Sequence, residues 1–121
     1  MKRSIAVPLA ALLPAAGVVA PALAATGYDT TVTMTHSTSG NRFVGKVKSP
    51  AAFCVPSRKV TVYRKKSGKD PAIGSGWSQN SGKWWLSTPS LSAGDYYAKT
   101  PAVSRKGGTC KAAQSITTHA S

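Results

Sequence analysis

From about position 30 the chain runs in short stretches where apolar residues recur at every second place, cut by clusters of Gly, Pro, Ser and Asn. Period two marks a strand with one buried face. Residues 30–36 (Thr-Thr-Val-Thr-Met-Thr-His) are rich in strand-favouring side chains. Residues 42–48 alternate, with Phe43, Gly45 and Val47 on one face and Val44, Lys46 and Lys48 on the other. Residues 58–65 place Val60 and Val62 inward and Lys59, Thr61, Tyr63 and Lys65 outward. A short Gly-interrupted strand is expected over 72–78. Residues 83–88 follow, with Trp84 and Leu86 inward and Trp85 outward, because neighbouring side chains on a strand point to opposite faces. Strands over 95–100 and 113–119 complete the set, and 49–57 and 101–111 read as loops. Seven short strands with no amphipathic helix predict an all-β chain folded as a single seven-stranded β-sandwich.

The first 24 residues follow a different pattern. Met1-Lys2-Arg3 is a positive start, Ile5 to Ala20 is uncharged and rich in Ala, Leu and Val, and Pro21-Ala22-Leu23-Ala24 offers small residues for cleavage. This three-part arrangement predicts a signal peptide over 1–24 and a secreted domain over 25–121, with cleavage after Ala24 or Ala25. Pro8, Pro14 and Pro21 interrupt the apolar run, so no transmembrane segment is expected. An exported chain meets oxidising conditions. Cys54 and Cys110, the only cysteines, therefore read as a structural disulfide. They lie too far apart for a CxxC redox pair, and only His36 and His119 could join them at a zinc ion. No metal or cofactor is expected.

Charge changes the picture more than composition does. Sixteen Lys and Arg face three acids, Asp29, Asp70 and Asp95, with no Glu, giving a formal net charge of +13. Losing Lys2 and Arg3 with the signal segment leaves +11. So few carboxylates leave little for acid/base catalysis, and no GxSxG, HExxH, P-loop or dinucleotide fingerprint occurs. The chain reads as a non-enzyme. His36 and His119, closing the first and last strands, would make at most half a metal site. An isopeptide crosslink from Lys46 or Lys48 to Asn80 or Asp95 lacks a helper Glu. A strongly positive surface does attract anions.

Four motifs occur in order: Phe43-x-Gly-x-Val47, Arg58-x-Val-x-Val62-Tyr63, Gly82-x-Trp84-x-Leu86 and Leu91-x-x-Gly94-x-Tyr96-x-Ala98. Together they resemble the immunoglobulin-like, transthyretin-like or carboxypeptidase-regulatory-like β-sandwiches that serve as accessory domains in secreted bacterial proteins. The resemblance implies that Tyr96 returns its hydroxyl to the backbone upstream as a corner lock. It implies that the loops holding Cys54 and Cys110 meet at one end of the sandwich, gathering Arg58, Lys59, Arg105, Lys106 and Lys111 there. It also makes the third and sixth strands neighbours, so that Lys59, Thr61, Tyr63 and Lys65 share an outer face with Tyr97 and Lys99. Two tyrosines framed by lysines suit a ligand with rings and negative charge. The expected function is a secreted, non-catalytic domain adhering to an anionic extracellular surface or polymer: a cell-wall polymer, an acidic polysaccharide or a nucleic acid. The alternative is a secreted inhibitor or toxin acting on an acidic protein surface.

Overall fold

Stretches of β-branched and aromatic residues pair here because an extended chain can satisfy its backbone groups only against another strand. The computed structural model describes residues 27–121; the expected signal segment, 1–24, lies outside the described residues. The strands are β1 (Thr31–Ser37), β2 (Arg42–Lys48), β3 (Lys59–Arg64), β4 (Ala72–Trp77), β5 (Lys83–Ser87), β6 (Gly94–Thr100), β7 (Val103–Arg105), β8 (Gly108–Cys110), β9 (Ala113–Gln114) and β10 (Thr118–Ala120), with a 3-10 turn at Ala52–Cys54. One sheet has the order β1-β2-β5. A second has the order β10-β6-β3-β4, with β9 also on β6, and β7-β8 form a separate hairpin. Every named ladder is antiparallel.

The strand count therefore differs from seven in two places. The segment read as a loop over 101–111 contains the β7-β8 hairpin, turned at Lys106-Gly107 and entering β8 through Gly108 at φ 142°. The last strand is broken. Lys99 pairs with Gln114 while Tyr96 pairs with Thr118, a slip of one residue. Ser115 sits at the slip: its Oγ accepts from Ala98 N–H at 2.8 Å, and its own N–H donates to the Ala98 carbonyl. A side chain thus substitutes for a ladder partner at a bulge.

The alternation read from the sequence forms the core. Val32, Met34, Phe43, Val47, Val60, Val62, Trp84, Tyr96, Ala98 and Ala120 pack as one buried cluster, with Leu86, Leu91 and Ala113 against it. The Phe43 and Tyr96 rings meet at 5.2 Å. Tyr96 Oη donates to the Ser92 carbonyl at 2.6 Å, forming the expected corner lock four residues upstream. The glycines of β4 also have a reason. There β4 runs against β5, with Gly74 beside the Leu86 side chain and Gly76 against the Trp85 carbonyl, where any Cβ would collide. Gly82, at φ 90°, turns the chain into β5.

Cys54 and Cys110 are bonded, their Cα atoms 5.5 Å apart. They sit in a small second cluster with Ala51, Phe53 and Val103, between the 3-10 turn and the β7-β8 hairpin. No described helix is long and apolar enough to cross a membrane.

Candidate functional site

The outer face of the second sheet gathers most of the side chains expected to bind. β3 and β6 are neighbours, with Thr61 opposite Lys99 and Tyr63 opposite Tyr97. Directly opposed residues share a face, so the two tyrosines stack, their centroids 5.5 Å apart and their planes 18° from parallel. Lys99 Nζ lies over both rings, 5.5 Å from the Tyr63 centroid and 5.9 Å from that of Tyr97. These distances are within cation–π range. Lys59, Thr61, Tyr63, Lys99 and Gln114 line a groove of about 560 Å³ beside them. Neither Lys59 nor Lys99 forms an ion pair; the described ion pairs are Lys111–Asp29 and His119–Asp95. Lys65 follows β3 and is exposed.

Tyr97 departs from the expected platform. Its ring points outward, yet it is only 7% exposed, covered by Tyr63 and Lys99 and tied down from the side. Its hydroxyl donates to Asp70 Oδ2 at 2.6 Å, while Lys66 N–H donates to Oδ1 at 2.8 Å. The ring is thus a foundation for Tyr63 rather than an open stacking surface. The hydroxyl bond, followed by the Lys66 N–H, holds the Asp70 carboxyl below the usual carboxylate range. The same bond pushes Tyr97 up to about 12. Because Tyr97 is raised, its stabilising contribution is complete below pH ~10 and is lost as pH climbs toward 12. Because Asp70 is lowered, its contribution is complete above pH ~4 and is lost as pH falls through the folded value. In a spectrophotometric titration of the folded protein, a tyrosine step belonging to Tyr97 is expected toward pH 12. Asp70→Ala should return it toward the ordinary tyrosine value. No tyrosine step toward pH 12, or a step that Asp70→Ala leaves in place, would contradict the bond.

Trp77 completes the face and was missed in the sequence. It is 62% exposed and pairs in register with Lys59, one row beyond the Thr61–Ser75 pair, whose hydroxyls lie 2.8 Å apart. Counting by twos from Ser75 would have placed it there. The short, glycine-broken strand hid the periodicity.

The other basic residues do not join this face. Arg58 is buried, a correction to its expected place on the binding surface. Its Nη1 donates to Thr30 Oγ1 at 3.1 Å and the Cys54 carbonyl at 2.8 Å, and its Nη2 to the carbonyls of Pro101 at 3.1 Å and Lys111 at 3.0 Å. Parity was the signal, since Arg58 falls in step with Val60 and Val62. Burial, then the nearby Arg105, lowers its pKa from the usual arginine value. Arg105 is likewise occupied, donating to the carbonyls of Phe53, Pro56 and Ser57. Around the disulfide the remaining cations are Lys106, exposed at the hairpin turn, and Lys111, half-buried and paired with Asp29 at 3.2 Å.

His36 packs on Phe43 at 4.9 Å, whereas His119 Nδ1 meets Asp95 Oδ1 at 2.8 Å. Among the described residues no group of three or more His, Cys, Asp or Glu could hold a metal ion. Comparison with family models, with curated proteins and with solved structures finds no match.

Proposed function

We propose that this chain is a secreted, non-catalytic adhesive domain that binds an anionic extracellular polymer through the outer face of β3, β4 and β6. The observation that carries the reading is Lys99 held over the Tyr63–Tyr97 stack. A cation and an aromatic face are offered together, without a carboxylate pairing the lysine. Tyr63, Trp77, Lys59 and Lys99 are the binding residues, and Tyr97 and Asp70 position them. The formal charge of +13 supports attraction at a distance. The signal-like first 24 residues and the disulfide favour an extracellular setting. The strand orders β1-β2-β5 and β4-β3-β6-β10, with the Tyr96 lock between them, favour an immunoglobulin-like reading of the sandwich.

Sedimentation with isolated cell wall at graded salt tests the proposal. The parent is expected to bind and to be released as salt rises. Tyr63→Ala with Trp77→Ala removes no charge and should weaken binding roughly tenfold or more, given about 1–3 kcal/mol per stacked ring. Lys59→Gln with Lys99→Gln should flatten the salt dependence. Parent-like binding by a folded Tyr63→Ala/Trp77→Ala protein overturns the face as the site. Binding to an acidic protein, with none to wall, would favour the inhibitor or toxin reading.

A further inference from the structure

The opposite face of the sandwich carries a second arrangement of the same kind on different residues. Along β1, β2 and β5 the register sets three outward rows. Thr33, Lys46 and Lys83 form one; Thr35, Val44 and Trp85 form the middle; Ser37, Arg42 and Ser87 form the last. Trp85 is 48% exposed and stands in the middle row beside Val44. Cations occupy the rows on both sides. These rows floor a groove of about 660 Å³ with Gln79 at its rim, and no carboxylate lines it. Arg42, Lys46 and Lys83 take part in none of the described ion pairs. Arg42 and Lys46, four residues apart on one strand, are separated by roughly 13 Å, with the Trp85 row between them.

We infer that this face is a second binding surface, for an acidic polysaccharide, and that the domain is bivalent. A large exposed indole flanked by unpaired cations is charge-complementary to a chain that alternates sugar rings with carboxylates. One ring stacks on Trp85, and the carboxylates of its neighbours reach Lys46 and Lys83 on one side and Arg42 on the other. The Thr35 hydroxyl and the Gln79 amide suit a polyhydroxylated ligand, while the Thr33 hydroxyl is taken up by the Lys46 backbone. A single isolated ring suits a sugar chain better than a nucleic acid strand, which binds on successive stacked bases. The two sheets of a sandwich lie about 10 Å apart and face opposite ways, so two polymer chains can be held at once. The bivalency rests on the face proposed above; the Trp85 site does not.

Titration calorimetry with a short oligogalacturonate is the test, supported by light scattering with long polygalacturonate. Two sites per chain and crosslinking of the long polymer are expected. Trp85→Ala should weaken one site at least tenfold. Trp85→Ala with Lys46→Gln and Lys83→Gln should leave one site and abolish crosslinking, with the circular dichroism spectrum unchanged. Stoichiometry unaffected by these changes overturns the inference, as does no parent binding to the uronate. Polyphosphate binding as tightly as the uronate, with no dependence on Trp85, overturns it in favour of charge alone. Oligodeoxythymidylate binding through Trp85 in place of the uronate overturns it in favour of a nucleic acid. The Tyr63→Ala/Trp77→Ala protein separates the two proposals, because it should retain the Trp85 site even if the other face binds nothing.

Discussion

Replacing Arg58 by Ala is expected to destabilise the domain by roughly 3–5 kcal/mol, about as much as removing the disulfide. The guanidinium fork ties four segments with four hydrogen bonds, to Thr30, Cys54, Pro101 and Lys111. Bonds to a charged donor contribute about 1.5–3 kcal/mol each, and their loss leaves the buried Cys54 carbonyl and the partly buried carbonyls of Pro101 and Lys111 without that donor. Relieving the desolvation of a buried cation offsets part of that loss. The Cys54–Cys110 bridge closes a separation of 56 residues, which the chain-entropy model values at about 4 kcal/mol. Arg58 grips the Cys54 carbonyl, and the carbonyl of Lys111 next to Cys110, so both devices hold the same two loops together. Combining Arg58→Ala with Cys54→Ala and Cys110→Ala should then cost less than the sum of the separate losses. Arg58→Lys keeps the charge and loses the fork, so it should not restore stability. Denaturant melts of the variants decide this, and a loss below about 1 kcal/mol for Arg58→Ala would show that the interior tolerates an open end.

The adjacent tryptophans should behave as opposites. Trp84 is 1% exposed and lies in the main core, whereas Trp85 is 48% exposed on the outer face. Trp84→Ala is expected to cost roughly 3–5 kcal/mol, since a buried aromatic leaves a cavity that the surrounding strands cannot close. Trp85→Ala should stay within about 1 kcal/mol, as for an exposed strand position. Its backbone, which passes Gly76, is unchanged by the substitution. Trp84 Nε1 is buried without a hydrogen-bond partner. Trp84→Phe, which fills much of the space and buries no unpaired N–H, should therefore recover a large part of the loss. Equal destabilisation by Trp84→Ala and Trp85→Ala would contradict the assigned faces.

Much of the scaffold was legible because strand faces have an exact period. Val60 with Val62, Phe43 with Val47, and Trp84 against Trp85 fall where alternation puts them. Tyr96 was readable from its place in the Leu91-x-x-Gly94-x-Tyr96 motif, and the cysteine pairing from the signal-like first residues and the loops on which the two cysteines sit. Where reading failed, a local signal was weaker than a distant partner. Charge suggested that Arg58 lay outside, but three carbonyls and the Thr30 hydroxyl, from separate segments, hold its two terminal nitrogens inside. Alternation put Tyr97 on the surface, and so it points; Asp70, 27 residues away, and Tyr63 then cover it.

Legible from the residues alone were the strand-rich class, the side chains that form the core, the corner tyrosine, the bridge and the large positive charge. The core faces and the charge follow from alternation and from counting, and the corner tyrosine from the motif resemblance. The bridge follows from the signal-like first residues together with the loops that the resemblance brings to one end. Tertiary structure decided which outward residues meet. It set Tyr63 on Tyr97 beneath Lys99, added Trp77 beside Lys59, and placed Trp85 among Arg42, Lys46 and Lys83. Those neighbours come from different strands, and their register rests on long-range pairing and on bulges such as the slip between Val62 and Tyr63. A slip of one residue reverses the face that a side chain occupies, so no local pattern can specify such a surface before the sheet has formed.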